Sequence, residues 1–222
     1  MYNFNFAPVF ASMDKLLVGA WQTIQLSCVA MLVGLIVSIV CAWGKTSGPK
    51  PLRWVIDAYV EIIRNTPFLV QIFFIFFGLP SLGLRLSPNS AALLALVINF
   101  GAYGTEIIRA GIESIHRGQM EAGTALGLSK LQVFRYIVMK PALRTVYPSL
   151  TSQFIYLMLT SSVVSVISAN ELASAGNDLQ SATFASFEVY IVITLLYLVM
   201  SIGFSAIFAI IEKMAFKYPL SR

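Results

Sequence analysis

Charge is what this sequence has least of: Asp, Glu, Lys and Arg make up 11% of its 222 residues, against 58% hydrophobic. Soluble domains carry about a quarter charged residues, so a water-soluble fold would have nowhere to put this apolar excess. Histidine is nearly absent as well. With only His116, in a polar connection where a solvated role is expected, neither a Ser/His/Asp set nor a histidine metal cluster can be assembled. The two cysteines, Cys28 and Cys41, stand 13 residues apart, about 20 Å along one helix, and cannot pair with each other. No Gly-x4-Gly-Lys-Ser/Thr phosphate loop occurs. Nucleotide chemistry is therefore not expected of this chain, nor any cofactor of its own.

What is present is a set of long charge-free runs, at 16–44, 65–84, 86–105, 145–170 and 189–211. A hydrocarbon core about 30 Å thick takes about 20 apolar residues per helix, so each run is long enough to span. They lack the in–out alternation of barrel strands. The expected class is all-α, a single polytopic membrane domain over 1–222 with about five transmembrane helices, near 16–43, 54–79, 88–108, 145–169 and 187–211. Residues 1–14 hold no basic residue, and the first run exceeds a signal-peptide core, so it reads as a retained span.

Five spans make the connections alternate between sides. Thirteen of the fifteen Lys and Arg residues fall on one side, in the segments 45–64 and 109–144 and in the tail, while Lys15 and Arg85 fall on the other. The positive-inside rule then places the N-terminus outside and the C-terminus in the cytoplasm. The net charge of +5 is topological, and no nucleic-acid partner is expected.

Proline and glycine punctuate the runs. The patch Lys45-Thr-Ser-Gly-Pro-Lys-Pro51 reads as a short cytoplasmic hairpin. Pro67 either opens a helix or kinks one begun near Trp54, and the helical look of 54–63 favours a kink. The inner connection of about 35 residues is far longer than a helix-to-helix link requires, so something structured must occupy 113–144. Residues 121–127 read as a short helix with Glu121 in its first turn and Gly127 at its end, where φ > 0 is needed. Ser129 and Gln132 have capping-box spacing. Leu131, Val133, Phe134, Ile137 and Val138 then give an amphipathic helix up to Pro141. The two helices make an elbow on the cytoplasmic face.

The elbow's residues, Glu121-Ala122-Gly123-x3-Gly127-x9-Ile137-x-Met139, resemble the Glu-Ala-Ala-x3-Gly-x9-Ile-x-Leu-Pro signature of ATP-binding cassette importer permeases. The segments YVEIIRNTPFLVQIFFIFFGLP at 59–80 and AYGTEIIRAGIESI at 102–115 are similar to hallmark segments of the polar amino acid branch, and the likeness covers about 16–212. Gly123 replaces the second Ala, Met139 replaces Leu, and Lys140 stands where Pro is expected, with Pro141 one residue late. The resemblance implies a permease subunit in a bacterial inner membrane, lodged in lipid and paired with a second permease, the same chain or a related one. An extracytoplasmic solute-binding protein would deliver a polar amino acid. A cytoplasmic ATPase dimer would consume ATP and Mg, and the chain itself would not be an enzyme. Glu121 would be the polar contact with the ATPase, Ala122 and Gly123 the close-approach surface, Gly127 the bend and Leu128 part of the same coupling segment.

Polar residues inside spans are costly and face a cavity or a neighbouring helix. Asn99, Tyr103 and Glu106 share one face of the third span, and Gln153, Tyr156 and Thr160 one face of the fourth. Asn99, Tyr103, Gln153 and Thr160 are the substrate-path candidates. Glu106 with Arg109 is expected to be a structural ion pair, Arg64 an interfacial anchor, and Ser161, Ser162, Ser165 and Ser168 packing residues. Glu171 and Asp178 are expected in a solvated outer loop. The competing class is a self-sufficient secondary transporter or channel, which would show internal repeats, and none is found.

Overall fold

The structure, a computed structural model, describes residues 4–129 and 132–216. Lys130, Leu131, Lys217 and Arg222, together with the side chains of Arg117, Phe134 and Lys140, lie outside what it describes. All regular structure among the described residues is helical, in the order α1 (Ala7–Ala11), α2 (Met13–Ser47), α3 (Lys50–Arg64), α4 (Phe68–Phe73), α5 (Pro88–Glu113), α6 (Arg117–Ala125), α7 (Met139–Thr160), α8 (Leu172–Thr183) and α9 (Ser186–Ala215). Short π- and 3-10 turns extend α4 to Leu82, lead into α7 at Val133–Val138, and continue it over Ser161–Ile167.

The distribution of side chains on α2 reveals the solvent around it. Small residues, Gly19, Ala20, Thr23, Ser27, Ala30, Gly34, Ser38 and Ala42, form its buried stripe, while Leu32, Ile36, Val40 and Trp43 are exposed. That is the reverse of a soluble helix and suits lipid, where close backbone approach rather than apolar burial holds helices together. A Cβ on Gly34 would stand 2.9 Å from the Phe100 ring, and one on Gly104 would stand 2.2 Å from Ser38 Oγ. Ser38 Oγ donates to Gly34 O at 2.8 Å and to Gly101 O at 3.1 Å, tying α2 to α5. Around this pair lies the main core, with Leu96 and Phe100 of α5, Ile72 of α4, and Phe154 and Leu157 of α7. Phe154 meets Phe204 and Phe208 of α9 edge to face at 4.7 and 5.3 Å.

Four helices are long and apolar enough to cross a membrane: α2, α5, Pro141–Ile167 and α9. The fifth expected span is different. Lys50–Arg64 and Phe68–Leu82 meet at 109°, so the kinked helix expected over 54–79 is instead two helices. Asn65 leaves helical geometry, and Pro67, at ψ 138, caps a new helix that starts at Phe68. Proline has no N–H to continue the first helix and disfavours helical geometry at the residue before it, which accounts for the break.

Two further expectations are corrected. The elbow's second arm does not stop at Pro141 but runs on through α7 into the fourth span. The π-turn Val133–Val138 precedes that proline, and a widened turn relieves the clash its ring would make with the carbonyl four residues back. The connection after 170, expected as a solvated outer loop, is helical and buries Glu171, while Asp178 is exposed. It forms α8, packed through Leu172 and Leu179 on Leu16, Val189 and Ile193. Glu171, 1% exposed, caps it by accepting from Ser174 N–H at 2.6 Å.

Candidate coupling elbow and translocation path

α6 ends in a Schellman motif built from the glycine singled out by its spacing. Gly127 takes φ 82°, its N–H bonds Thr124 O at 3.0 Å, and Leu128 N–H bonds Gly123 O at 3.2 Å. The next helix opens with a reciprocal capping box, Ser129 N–H to Gln132 Oε1 at 2.8 Å and Gln132 N–H to Ser129 Oγ at 3.4 Å. Both ends of the bend are thus satisfied by hydrogen bonds. Glu121, Ala122 and Leu126 are exposed, Leu126 by 82%.

Gly123 does not share that surface. It is buried, and a Cβ there would meet Ile137 Cδ1 at 2.3 Å and Val133 Cγ2 at 3.2 Å. The close approach expected toward a partner is therefore internal, between the two arms of the elbow. Leu128 likewise turns inward, onto the small core of Ile115, Val133, Val138 and Ala142. The outward face keeps Glu121, Ala122 and Leu126, with Thr124 and Ala125 beside them.

Charges cluster where the elbow joins the membrane helices. Lys45 Nζ reaches Asp57 at 2.8 Å and Glu106 at 2.6 Å, Glu106 meets Arg109 at 2.9 Å, and Arg109 also pairs with Glu113. The expected Glu106–Arg109 pair is thus one link of a network joining α2, α3 and α5. These groups satisfy one another, which suits a structural strap better than a ligand site.

The path candidates separate. Asn99 is buried and donates to Gln71 Oε1 at 3.1 Å. Gln71 Nε2 in turn reaches Ile63 O, Thr66 O and Thr66 Oγ1 at 2.7, 3.0 and 3.0 Å. Asn99 therefore pins the 109° break through Gln71. Tyr103, one turn further along α5, lies under the Arg64 guanidinium at 5.5 Å. Gln153 lies in a shallow groove with Ile107, Ser149, Ser152 and Tyr156, and its Nε2 is buried without a hydrogen-bond partner among the described residues. Thr160 stands where α7 tightens into the 3-10 turn. Ser161, Ser162 and Ser165 donate to carbonyls of their own helix, as packing residues in lipid do.

Glu171 was missed as a buried group. Its Oε2 accepts from Tyr197 Oη at 2.6 Å, while Thr23 Oγ1 accepts from the neighbouring Leu172 N–H at 3.0 Å. Burial pushes its carboxyl above the ordinary glutamate value, and these hydrogen bonds oppose that only in part. The one local signal was the Glu-x-x-Ser spacing of a helix cap.

The chain is similar to known proteins. The family model described as binding-protein-dependent transport system inner membrane component matches residues 34–217. The glutamine transport system permease protein GlnP of Escherichia coli strain K12 is 33% identical, over 95% of this chain and 97% of that one. The probable glutamine ABC transporter permease protein GlnM of Bacillus subtilis strain 168 is 35% identical, over 94% and 97%. A crystal structure of an amino acid ABC transporter with histidines superposes with a TM-score of 0.89 at 34% identity, over 96% of this chain and 100% of that one. With a family match across most of its length and relatives a third identical over nearly all of it, this chain belongs to the binding-protein-dependent transport system inner membrane components, the permeases of ATP-binding cassette transporters.

Proposed function

We propose that the chain is the membrane subunit of an ATP-driven importer for polar L-amino acids, glutamine being the first to test. The relatives above are named for glutamine or for amino acids, which supports the substrate class. The observation that carries the mechanism is the elbow: α6 presents Glu121, Ala122 and Leu126 to the outside while its C-terminal end and the start of the next helix are both locked by hydrogen bonds. A helix fixed in this way transmits a push from a docked ATPase into α7, because the second arm and the fourth span are one continuous element. A second permease, the same chain or a related one, completes the path, and an external solute-binding protein delivers substrate. ATP and Mg are consumed on the separate ATPase chain. The distribution of basic residues supports an N-terminus outside and a C-terminus in the cytoplasm, and the family supports a bacterial inner membrane.

Uptake by proteoliposomes tests this. With the ATPase and binding protein present, L-glutamine accumulates only when ATP is supplied on the ATPase side. Accumulation by this chain alone, driven by an ion gradient, would contradict the proposal and favour a secondary transporter.

A further inference from the structure

Apart from the groove at Gln153, a slot of about 1090 Å³ runs along the bundle and ends at the elbow. α2 lines it from Met31 to Trp43 and α5 from Phe100 to Ile112. Each stretch rises about 18 Å at 1.5 Å per residue. α7 forms the third side, and Met120 and Thr124 of α6 line the end at the elbow. Ile39, Trp43 and Leu143 belong to the lining and are nevertheless exposed, so the slot opens sideways, between α2 and α7.

The walls are almost wholly apolar. The hydroxyls of Thr46, Thr124, Tyr147 and Thr151 are each spent on a carbonyl of the chain, at 2.9 Å in every case. A polar solute finds little here to bond. One leaflet of a bilayer, headgroups included, is about 20–22 Å thick, so the slot has the length and the chemistry of a lipid rather than of a solute.

A charge stands at the elbow end. Arg144 follows Leu143 and precedes Tyr147 by one turn, and both of those line the slot. α7 brings it level with Gly111, because a Cβ on Gly111 would stand 3.2 Å from Ala142 O and beside Val146 Cγ1. That level is about 7.5 Å beyond Glu106 along α5, on the elbow side of the strap. Arg144 is half-buried and makes no hydrogen bond or ion pair to a described residue. Asp57, Glu106 and Glu113 are already held by Lys45 and Arg109, and Glu212 of α9 is not in ion-pair contact with it. A guanidinium drawn partly out of water without a counter-ion is costly, and an anion at this spot offsets the cost.

We infer that the slot holds one anionic phospholipid from the leaflet nearer the elbow. An acyl chain lies along α2 from Trp43 toward Met31, and the phosphate of the headgroup sits on Arg144, whose planar fork matches phosphate oxygens. The apolar walls select a chain, and the free cation selects an anionic head. Met120 and Thr124 belong to α6, while Val133 and Val138, also in the lining, belong to the arm that continues into α7. The lipid therefore lies between the elbow and the bundle and braces one against the other. This site does not depend on which solute the transporter carries.

Quenching of Trp43 by phospholipids brominated on the acyl chain tests the site, in the purified permease–ATPase complex. The signal of Trp43 is the difference between a chain carrying W21F and W54F and one that also carries W43F. Brominated phosphatidylglycerol is expected to occupy the site about fivefold more tightly than brominated phosphatidylcholine, the preference that one basic residue confers near a membrane surface. Arg144→Gln is expected to bring the two lipids level, and Arg144→Lys to keep most of the preference. The comparison of lipids in the chain that retains Arg144 stands without either variant. Equal quenching by the two lipids there, or an undiminished preference in R144Q, overturns the site. Weak quenching by both lipids overturns it as well, because Trp43 is then covered by protein, such as a second copy of this chain.

Discussion

A single residue fixes the elbow's angle. Gly127 holds φ 82° with nothing within 4 Å of where a Cβ would stand, so replacing it tests backbone conformation alone. Gly127→Ala is expected to cost about 1–2 kcal/mol through the left-handed backbone. It is also expected to reduce ATP-driven uptake more than it lowers the thermal midpoint of the purified chain. A midpoint and an uptake both equal to those of the parent would show that the turn does not need glycine. Glu171 makes a second residue-scale test. Its carboxyl titrates above the ordinary value near 4.5, and the native state therefore holds a proton that the unfolded chain has already released. The stabilisation is complete below about 4.5 and is lost as pH rises through the higher native value. Glu171→Gln removes this titration, so the fall in thermal midpoint with rising pH should flatten. An unchanged slope would assign the pH dependence to another group.

At the scale of elements, the legible features were the local ones. Gly127 and the Ser129–Gln132 box announce themselves because each is satisfied within a few residues of chain. The break at Pro67 was ambiguous, because proline opens helices as readily as it bends them. What settles it is Gln71, held from α5 by Asn99, and neither partner's role is written in its own segment. The same holds for Glu171, whose surroundings come from α2 and α9. The break yields an ordering. Gln71 ties Ile63 and Thr66 directly, whereas Asn99 only orients Gln71. Gln71→Leu should therefore lower stability more than Asn99→Leu, the latter costing about 1 kcal/mol, as interhelical polar pairs in membranes do. Thermal unfolding of both variants in the same detergent checks this, and the reverse order would place the hinge of the network on α5.

At the scale of the molecule, the sequence disclosed the class through its long uncharged runs, and the family through a motif that spans both arms of the elbow. Surfaces were harder to read, because helical periodicity does not tell whether a small residue meets a neighbour within the chain or outside it. Gly123 serves the first purpose, while Ala122 stays exposed. The account stands on α6 touching a cytoplasmic ATPase. Cysteine crosslinking from position 122 measures that most directly, in a chain carrying Ala122→Cys with Cys28 and Cys41 replaced by Ser. In membranes containing the assembled transporter, the account predicts a crosslink from position 122 to the ATPase chain and no labelling of that position from outside intact cells. Labelling from outside, or an active assembly without that crosslink, would contradict it.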